Sequence, residues 1–286
     1  MIKIIKYLIQ SLIIYSFFLI GKLIGLKLSR KLFGYIFKKL GPVFKSKKII
    51  TQNLKIFSDN ISKNEIEKIS FEMWENYGKT FIEYVFLNIF KKKDTHIEIL
   101  GKENLKNILE NKKPVIFVSG HFANYELMSM EITKKQIKLA TIYRPLNNFF
   151  LNPFMEYLRK KYVCKNQIQK GIKGVRKAIE YLKNDYSVAL MIDQRVSEGE
   201  KINFFGKQAF TTTLPAQLAI KFNLGIVPVF IERKKNEKFT IEFFREIKSS
   251  SYKDKKELTE KLNDVLEKMI KRNPSHWIWT HNRWKV

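Results

Sequence analysis

Residues 113–128, KPVIFVSGHFANYELM, decide the fold of this chain. Val115 to Val118 form a short apolar run between Pro114 and Gly120, which predicts a strand buried on both faces, as in a parallel sheet. The apolar residues that follow recur at helical spacing, which predicts a helix. The stretch therefore predicts a strand, a small-residue turn and a helix in succession.

The turn carries His121, and Glu126 follows five positions later in the predicted helix 122–132. In a regular helix the two side chains would diverge by roughly 140° and would not share a face. If His121 instead lies on the turn, its imidazole can fold back onto the carboxylate, which predicts a general base oriented by Glu126. No Gly-x-Ser-x-Gly elbow surrounds His121, so the hydroxyl to be activated is expected to belong to a substrate. Spacing alone does not distinguish this pair from a chance one.

Strand and helix patterns alternate through the rest of the chain. Predicted strands lie at 96–100, 137–142, 187–192 and 226–231, with an edge strand at 239–244, and predicted helices lie at 149–162, 172–183, 213–222 and 255–271. Such alternation indicates βαβ units, and we expect an α/β fold with a central mixed, mostly parallel sheet flanked by helices. His121 would then lie past the carboxyl end of a central strand, where open sheets place their sites.

The N-terminal part predicts an anchor followed by a helical arm. Residues 7–21 carry no formal charge, and no cleavage site of the small-x-small type follows Ile20, which favours a retained anchor over a signal peptide. Helices are predicted at 32–39, 45–57 and 63–90. The expected division is an anchor at 1–30, a helical arm at 31–93 and an α/β domain at 94–286. Basic residues flank both ends of the anchor, so spanning and interfacial modes both stay open, and the larger cluster after it favours a cytoplasmic main domain.

Composition limits the partners of this protein. The formal net charge is +27, but only nine of the 54 basic residues are Arg, and the excess of Lys accompanies abundant Ile, Asn and Phe, as codon usage alone can produce. No nucleic-acid-binding motif accompanies the charge, so an anionic lipid surface fits better. The single cysteine, Cys164, excludes an internal disulfide and is interpreted as a small packed residue.

Further candidate site residues lie just after the later predicted strands. Arg144 ends the second predicted strand and suits bidentate capture of a phosphate. Asp193 ends the third, where it either bonds backbone or pairs with Arg144. Phe204 and Phe205 are interpreted as walls of an acyl pocket, and Gly206 as a turn that side chains would forbid.

The C-terminal tail, 275–284, contains three Trp and two His. Aromatic and basic residues together suit a membrane interface or a lipid headgroup. The spacing of the two histidines does not fit a metal site.

The stretch from Gly120 to Leu127 resembles the signature of the bacterial lipid A late acyltransferases, a branch of the lysophospholipid acyltransferase superfamily. The superfamily motif is a His, four residues and an acid, and Asn124 with Tyr125 points to the lipid A branch. Later blocks are similar in the same order, and the resemblance covers roughly residues 100–284. These blocks are Arg144-Pro145, then Asp193-Gln194 with Phe204-Phe205-Gly206, then Pro228 and the tail.

The resemblance implies transfer of a fatty acyl chain from an acyl carrier protein thioester, or less often a coenzyme A thioester, to a hydroxyl of a lipid A precursor. It implies no further cofactor, and it implies the cytoplasmic face of the inner membrane, with membrane lipid and a phosphorylated glycolipid as partners. His121 and Glu126 would be catalytic. Substrate contacts are implied for Asn124, Arg144, Asp193, Gln194, Phe205 and Gly206.

Two alternatives stay open at this point. The same His and acid would serve an enzyme that acylates a lysophospholipid or another glycolipid. A non-catalytic membrane-binding protein would use the basic surface and the aromatic tail.

Overall fold

The computed structural model describes residues 2–44, 47–111 and 113–285. The strands are β1 (Ile97–Leu100), β2 (Ile116–Ser119), β3 (Leu139–Tyr143), β4 (Asn166–Gln169), β5 (Ser187–Met191), β6 (Glu200–Phe204), β7 (Lys207–Thr211), β8 (Gly225–Arg233), β9 (Phe239–Phe243) and β10 (Ile247–Lys248). The helices are α1 (Ile2–Phe44), α2 (Lys47–Phe57), α3 (Lys63–Glu83), α4 (Leu87–Lys92), α5 (Lys102–Asn111), α6 (Glu126–Lys134), α7 (Asn152–Leu158), α8 (Ile172–Lys183), α9 (Leu214–Phe222) and α10 (Lys255–Arg272).

The main sheet has the order β1-β9-β8-β2-β5-β3-β4, and β10 pairs with β8. The strands from β8 to β4 pair in parallel, whereas β8 pairs with β9 and β10 antiparallel. Strands β6 and β7 form a separate hairpin. The predicted fold class, a mixed and mostly parallel sheet flanked by helices, is confirmed.

Two apolar cores cover the two faces of the sheet, and β2 serves both. Phe117 packs into one core with α4, α6 and α7 residues. Ile116 and Val118 pack into the other with α8, α9 and α10 residues. All four β2 residues are buried, as an apolar strand at the centre of a parallel sheet requires.

Helix α1 is longer than predicted and includes the predicted helix 32–39. It breaks at Gly25, where φ of +77° is a conformation that glycine adopts without a steric penalty. It runs through residue 30, and the domain boundaries at 30 and 93 stay predictions. The predicted helix 45–57 is confirmed from Lys47 onward, and Lys45 lies outside the described residues.

The remaining boundaries differ in a few places. The predicted helix 63–90 is divided into α3, a 3₁₀ turn and α4, and the helix predicted from 149 begins at Asn152 and ends in a π-helical turn, Arg159–Val163. The strand predicted at the edge, β9, lies inside the sheet between β1 and β8, which makes that prediction wrong. Sequence patterns also missed α5 and the short, partly exposed strands β4, β6 and β7, because a half-polar strand carries a weak apolar signal.

The aromatic tail is buried rather than exposed to a membrane interface, so that interpretation is wrong. Trp277 and Trp279 are 1% and 0% exposed, and Arg283 is 0% exposed. Each indole N–H has a partner inside the protein: Trp279 donates to the Pro274 carbonyl at 2.7 Å, and Trp284 donates to the Phe204 carbonyl at 3.0 Å. Buried Trp is stable where its N–H is satisfied in this way.

Candidate active site

His121 lies on the loop after β2 and is held by Asp193. The imidazole Nδ1 is 2.8 Å from Asp193 Oδ1, and the backbone N–H of His121 donates to Asp193 Oδ2 at 2.9 Å. The sheet register explains the pairing, because Ser119 at the end of β2 lies opposite Met191 at the end of β5. Two residues beyond each strand end, the His and the Asp are therefore neighbours.

The carboxylate of Asp193 is almost fully enclosed, with 2% exposure. Its Oδ2 accepts a further hydrogen bond from the indole N–H of Trp277 at 2.9 Å. Burial alone would raise the pKa of Asp193, but the charge and hydrogen bonds of His121, with the Trp277 N–H, lower it to about 2. The carboxylate is thus ionised at neutral pH, and its predicted backbone bond is confirmed. It does not pair with Arg144.

Burial acts on His121 in the opposite direction. It lowers the pKa of the imidazole, but the charge and hydrogen bond of Asp193 outweigh it, so the pKa of His121 is raised from its ordinary value. Nδ1 is engaged by Asp193, and Nε2 makes no hydrogen bond to the described residues. The ring is edge-to-face with Tyr125, with centroids 4.7 Å apart. Such a ring is fixed in orientation and presents one nitrogen to the cleft.

Glu126 does not orient His121, contrary to the sequence prediction. It is the first residue of α6, and its Oε1 accepts from Arg159 Nε at 2.7 Å and from the Tyr84 hydroxyl at 2.6 Å. Arg159 Nη2 lies 3.1 Å from the same hydroxyl. Glu126 and Arg159 are 7% and 9% exposed, so they form a buried, mutually neutralised pair beside His121.

The loop between His121 and α6 explains why the carboxylate points elsewhere. Ala123 has φ of +42°, so residues 121–125 form a turn and the helix begins later than predicted. The Ala123 N–H donates to the His276 carbonyl, and the Ala123 carbonyl accepts from Thr80 Oγ1 at 3.1 Å. This loop is therefore fixed from both sides by α3 and the tail.

Asn124 is a structural residue rather than a substrate contact, which corrects the implied role. It is 1% exposed, and its Nδ2 donates to Glu83 Oε2 at 2.9 Å. Glu83 is fully buried and also binds Arg30 of α1 and Arg233 of β8. The loop that carries His121 is thus joined through one buried carboxylate to the N-terminal helix and to the sheet.

A cleft of about 390 Å³ surrounds His121. Its lining combines the strand ends with the loops that follow them, as expected for an open α/β sheet. Among the lining residues are His121, Tyr125, Glu126, Arg144, Leu146, Arg159, Gln194, Arg195 and His281. Of the residues predicted to contact substrate, the structure brings Arg144 and Gln194 to this cleft.

A second, larger cleft of about 820 Å³ adjoins the first and shares part of its lining. Four basic residues line it: Arg144, Lys170, Arg195 and Lys285, together with Glu198. None of these four basic side chains forms an ion pair within the described ranges. The site therefore joins an imidazole to a positively charged cleft.

Phe205 and Gly206 lie away from both clefts. They are the two turn residues of the β6–β7 hairpin, with φ of +50° and +70°, as a type I′ turn needs. Phe205 is 9% exposed and packs edge-to-face on Phe57. The substrate contacts implied for Phe205 and Gly206 thus lie outside both clefts and stay predictions.

Residue patterns indicated no site role for Arg159 or Tyr84 and placed His281 at a membrane interface, but all three residues lie at or beside the cleft. Arg159 opens the π-helical turn after α7, a feature often found at functional sites, but residue spacing does not indicate it. Among the described residues, no three His, Cys, Asp or Glu side chains are grouped as a metal ion would require.

Known proteins are similar to this chain over most of its length. The family model described as bacterial lipid A biosynthesis acyltransferase matches residues 1–286. The lipid A biosynthesis lauroyltransferase of Escherichia coli is 25% identical over 84% of this chain and 79% of its own length. The lipid A biosynthesis acyltransferase of Haemophilus influenzae is 23% identical over 89% of this chain and 82% of its own length.

A solved structure is also similar. The crystal structure of the 1-acyl-sn-glycerophosphate acyltransferase PlsC from Thermotoga maritima matches with a TM-score of 0.43 and 15% identity. The match covers 89% of this chain and 100% of that one.

Proposed function

Because this chain belongs to the bacterial lipid A biosynthesis acyltransferase family, we propose that it transfers a fatty acyl chain from a thioester donor to a hydroxyl of a lipid A precursor. The observation that carries the proposal is the His121–Asp193 pair, which presents Nε2 to a cleft at the strand ends. The family and the apolar helix α1 are consistent with membrane association.

His121 acts as the general base in this proposal. Its Nε2 takes the proton of the acceptor hydroxyl as the oxygen attacks the thioester carbonyl, and Asp193 stabilises the imidazolium that forms. The tetrahedral intermediate then collapses, the C–S bond breaks, and the imidazolium returns its proton to the thiolate. No acyl-enzyme forms, since the attacking oxygen belongs to the acceptor.

Glu126 has a different task from the one expected from its spacing. Paired with Arg159, it fixes the polar wall against which the acceptor hydroxyl lies. Gln194 lines the same cleft and supplies carboxamide N–H groups suited to a developing oxyanion. The amides of Phe122 and Ala123 already bond to the Gly120 and His276 carbonyls, so they are engaged within the protein.

The adjoining basic cleft supports a phosphorylated acceptor. Arg144, Lys170 and Arg195 line both clefts, and Lys285 adds a further positive charge to the adjoining one. A lipid A precursor is a phosphorylated glycolipid, so its phosphates suit a positively charged cleft beside the catalytic imidazole. An acidic acyl carrier protein as donor fits the overall charge of +27.

The test is transfer of a radiolabelled acyl group from acyl carrier protein to a tetra-acylated lipid A precursor in detergent micelles. His121→Ala and Asp193→Ala are each expected to lose roughly 10²-fold or more in rate, the scale for removing a general base or its partner. His96→Gln is the matched control, because His96 lies outside the cleft lining and should keep most of the activity.

The acceptor and the donor are tested in the same assay. If the wild type leaves the precursor unchanged but acylates lysophosphatidate, the acyl-transfer chemistry stands and the acceptor assignment is wrong. If the coenzyme A thioester is used and the carrier-protein thioester is not, the carrier-protein donor is wrong. Activity in His121→Ala equal to the wild type would remove the proposed mechanism.

A further inference from the structure

The loop 144–151 begins in the lining of the catalytic cleft, and it exposes large apolar side chains together with the helix that follows it. Phe149 is 52% exposed and Leu146 is 38% exposed, and Tyr157 in the following helix α7 is 51% exposed. The loop is also part of the site, because Leu146 lines the cleft together with His121. A cleft rim of this kind is expected to meet an apolar partner rather than water.

The loop is bonded to the N-terminal end of α1. Asn148 Nδ2 donates to the Tyr7 carbonyl at 2.8 Å, and its Oδ1 accepts from Ser11 Oγ at 3.0 Å. The Tyr15 hydroxyl donates to the Phe150 carbonyl at 2.8 Å. These side chains lie on one face of α1, so the position of the loop relative to the helix is fixed.

The opposite face of this part of α1 is apolar and uncovered. The helix is long and apolar enough to cross a membrane, and only 17% of its most apolar window is buried in the protein. Ile9, Ile13 and Ile20 are exposed on that face. Leu8, Leu12 and Leu19 are exposed on the side of the helix between that face and the loop. If α1 lies in a bilayer, a loop bonded to its first turns lies at the same surface.

The lysines around this surface favour a bilayer that contains anionic lipids. Lys3 and Lys6 are exposed on α1, and Lys160 and Lys161 are exposed in the π-helical turn after α7. Lys161 Nζ is 2.6 Å from the hydroxyl of Tyr157, which places a cation beside an exposed aromatic ring. Lysine next to exposed Tyr and Phe is the arrangement that anionic headgroups favour.

We propose that loop 144–151 is a second membrane contact, which enters an anionic bilayer beside α1 and holds the mouth of the cleft open to the membrane surface. An acceptor lipid would then reach His121 by moving sideways in the leaflet, without leaving it. The inference concerns the membrane contact itself, so it can fail or hold independently of acyl transfer.

The test places an environment-sensitive fluorophore on the loop of the full-length chain. Phe149→Cys is labelled in a Cys164→Ser background and reconstituted with vesicles of phosphatidylethanolamine and phosphatidylglycerol. We expect a blue-shifted emission that is quenched by lipid-borne doxyl groups and protected from iodide. The matched control is Ile220→Cys on α9, an apolar residue that is 41% exposed on a helix packed against the sheet and α10.

Quenching at position 149 with none at position 220 supports the proposal. Iodide access at position 149 equal to that at position 220 overturns it, and so does equal lipid quenching at both positions. A second arm compares Phe149→Asp with Ile220→Asp: only the former should raise the KM for a vesicle-borne acceptor, by about tenfold, without changing the KM for the same acceptor in detergent. An unchanged vesicle KM for Phe149→Asp also overturns the proposal.

Discussion

At the scale of single residues, each buried carboxylate of the site has its own cationic or imidazole partner. Asp193 holds His121, and Glu126 holds Arg159. The two pairs lie side by side but perform different work, because only the first leaves a proton-accepting nitrogen for a substrate. A histidine and an acid five residues apart thus belong to two separate networks.

The pH dependence of catalysis tests the first pair. Asp193 raises the pKa of His121, so the base is protonated over more of the acidic range. We therefore expect kcat/KM to fall as the pH drops through a midpoint higher than that of an ordinary imidazole. Asp193→Asn removes the charge that raises the pKa of His121 and leaves the imidazole buried, so the midpoint should move to lower pH. The maximal rate should fall roughly 10²-fold or more. The pH profile of kcat/KM for both proteins checks this, and an unmoved midpoint would assign another group to the acidic limb.

The second pair predicts a stability effect. Arg159→Met leaves Glu126 buried without a cation, and the free energy of unfolding should fall by about 3–5 kcal/mol. The double variant Glu126→Gln with Arg159→Met should recover part of that loss, because no charge is then left unpaired. Denaturant unfolding in detergent measures the free energies of unfolding of the wild type, the two single variants and the double variant. If the loss in the double variant equalled the sum of the two single losses, the coupling between Glu126 and Arg159 would be contradicted.

At the scale of elements, α1 and α3 pack closely through small residues. A Cβ at Gly78 of α3 would lie 2.2 Å from the Phe33 carbonyl oxygen of α1, which is backbone and has little room to move. A Cβ at Gly34 of α1 would meet only flexible Glu75 and Lys79 side-chain atoms, at 3.2 Å. The close packing of α1 on α3 therefore depends on Gly78 far more than on Gly34.

Gly78→Ala is expected to lower the free energy of unfolding by about 1–3 kcal/mol, because the two helices must separate to admit the methyl group. Gly34→Ala should change it by less than about 1 kcal/mol, since the gain in helix propensity offsets a small adjustment of side chains. Thermal unfolding of both variants in one detergent makes the comparison. Equal losses would mean that the close approach at Gly78 is relieved elsewhere.

At the scale of the whole molecule, positive charge and exposed apolar surface both favour binding to an anionic membrane. The net charge of +27 lies on a protein whose N-terminal helix leaves a long apolar face uncovered. Electrostatic attraction to an anionic surface is screened by salt, whereas insertion of apolar side chains is not. The two contributions can therefore be separated by ionic strength.

Partition onto vesicles rich in phosphatidylglycerol should weaken by roughly tenfold or more when salt is raised to about 1 M, where the Debye length is about 3 Å. Partition onto phosphatidylcholine vesicles should change little over the same range. Co-flotation measures both. Equal salt sensitivity on the two lipids would mean that the positive surface plays no part in membrane binding.

The sequence by itself determined the fold class and the place of the site. Apolar runs of strand length alternating with helical spacing require a mostly parallel sheet, and a turn after the central strand places His121 at its carboxyl end. Arg144 and Gln194 follow neighbouring strands, and strand ends of one direction meet at one edge. Periodicity and chain direction are local properties, which is why they can be obtained from the order of residues.

Only the tertiary structure decided which side chains meet. The partner of His121 is Asp193 because β2 and β5 are adjacent in a register that places Ser119 opposite Met191. The left-handed turn at Ala123 and the approach of the segment that carries Arg159 directed Glu126 elsewhere. The tail tryptophans pack into the core, where Asp193 and two carbonyl oxygens accept their N–H groups. Register and long-range hydrogen bonding join residues far apart in the chain, and residue spacing does not encode such contacts.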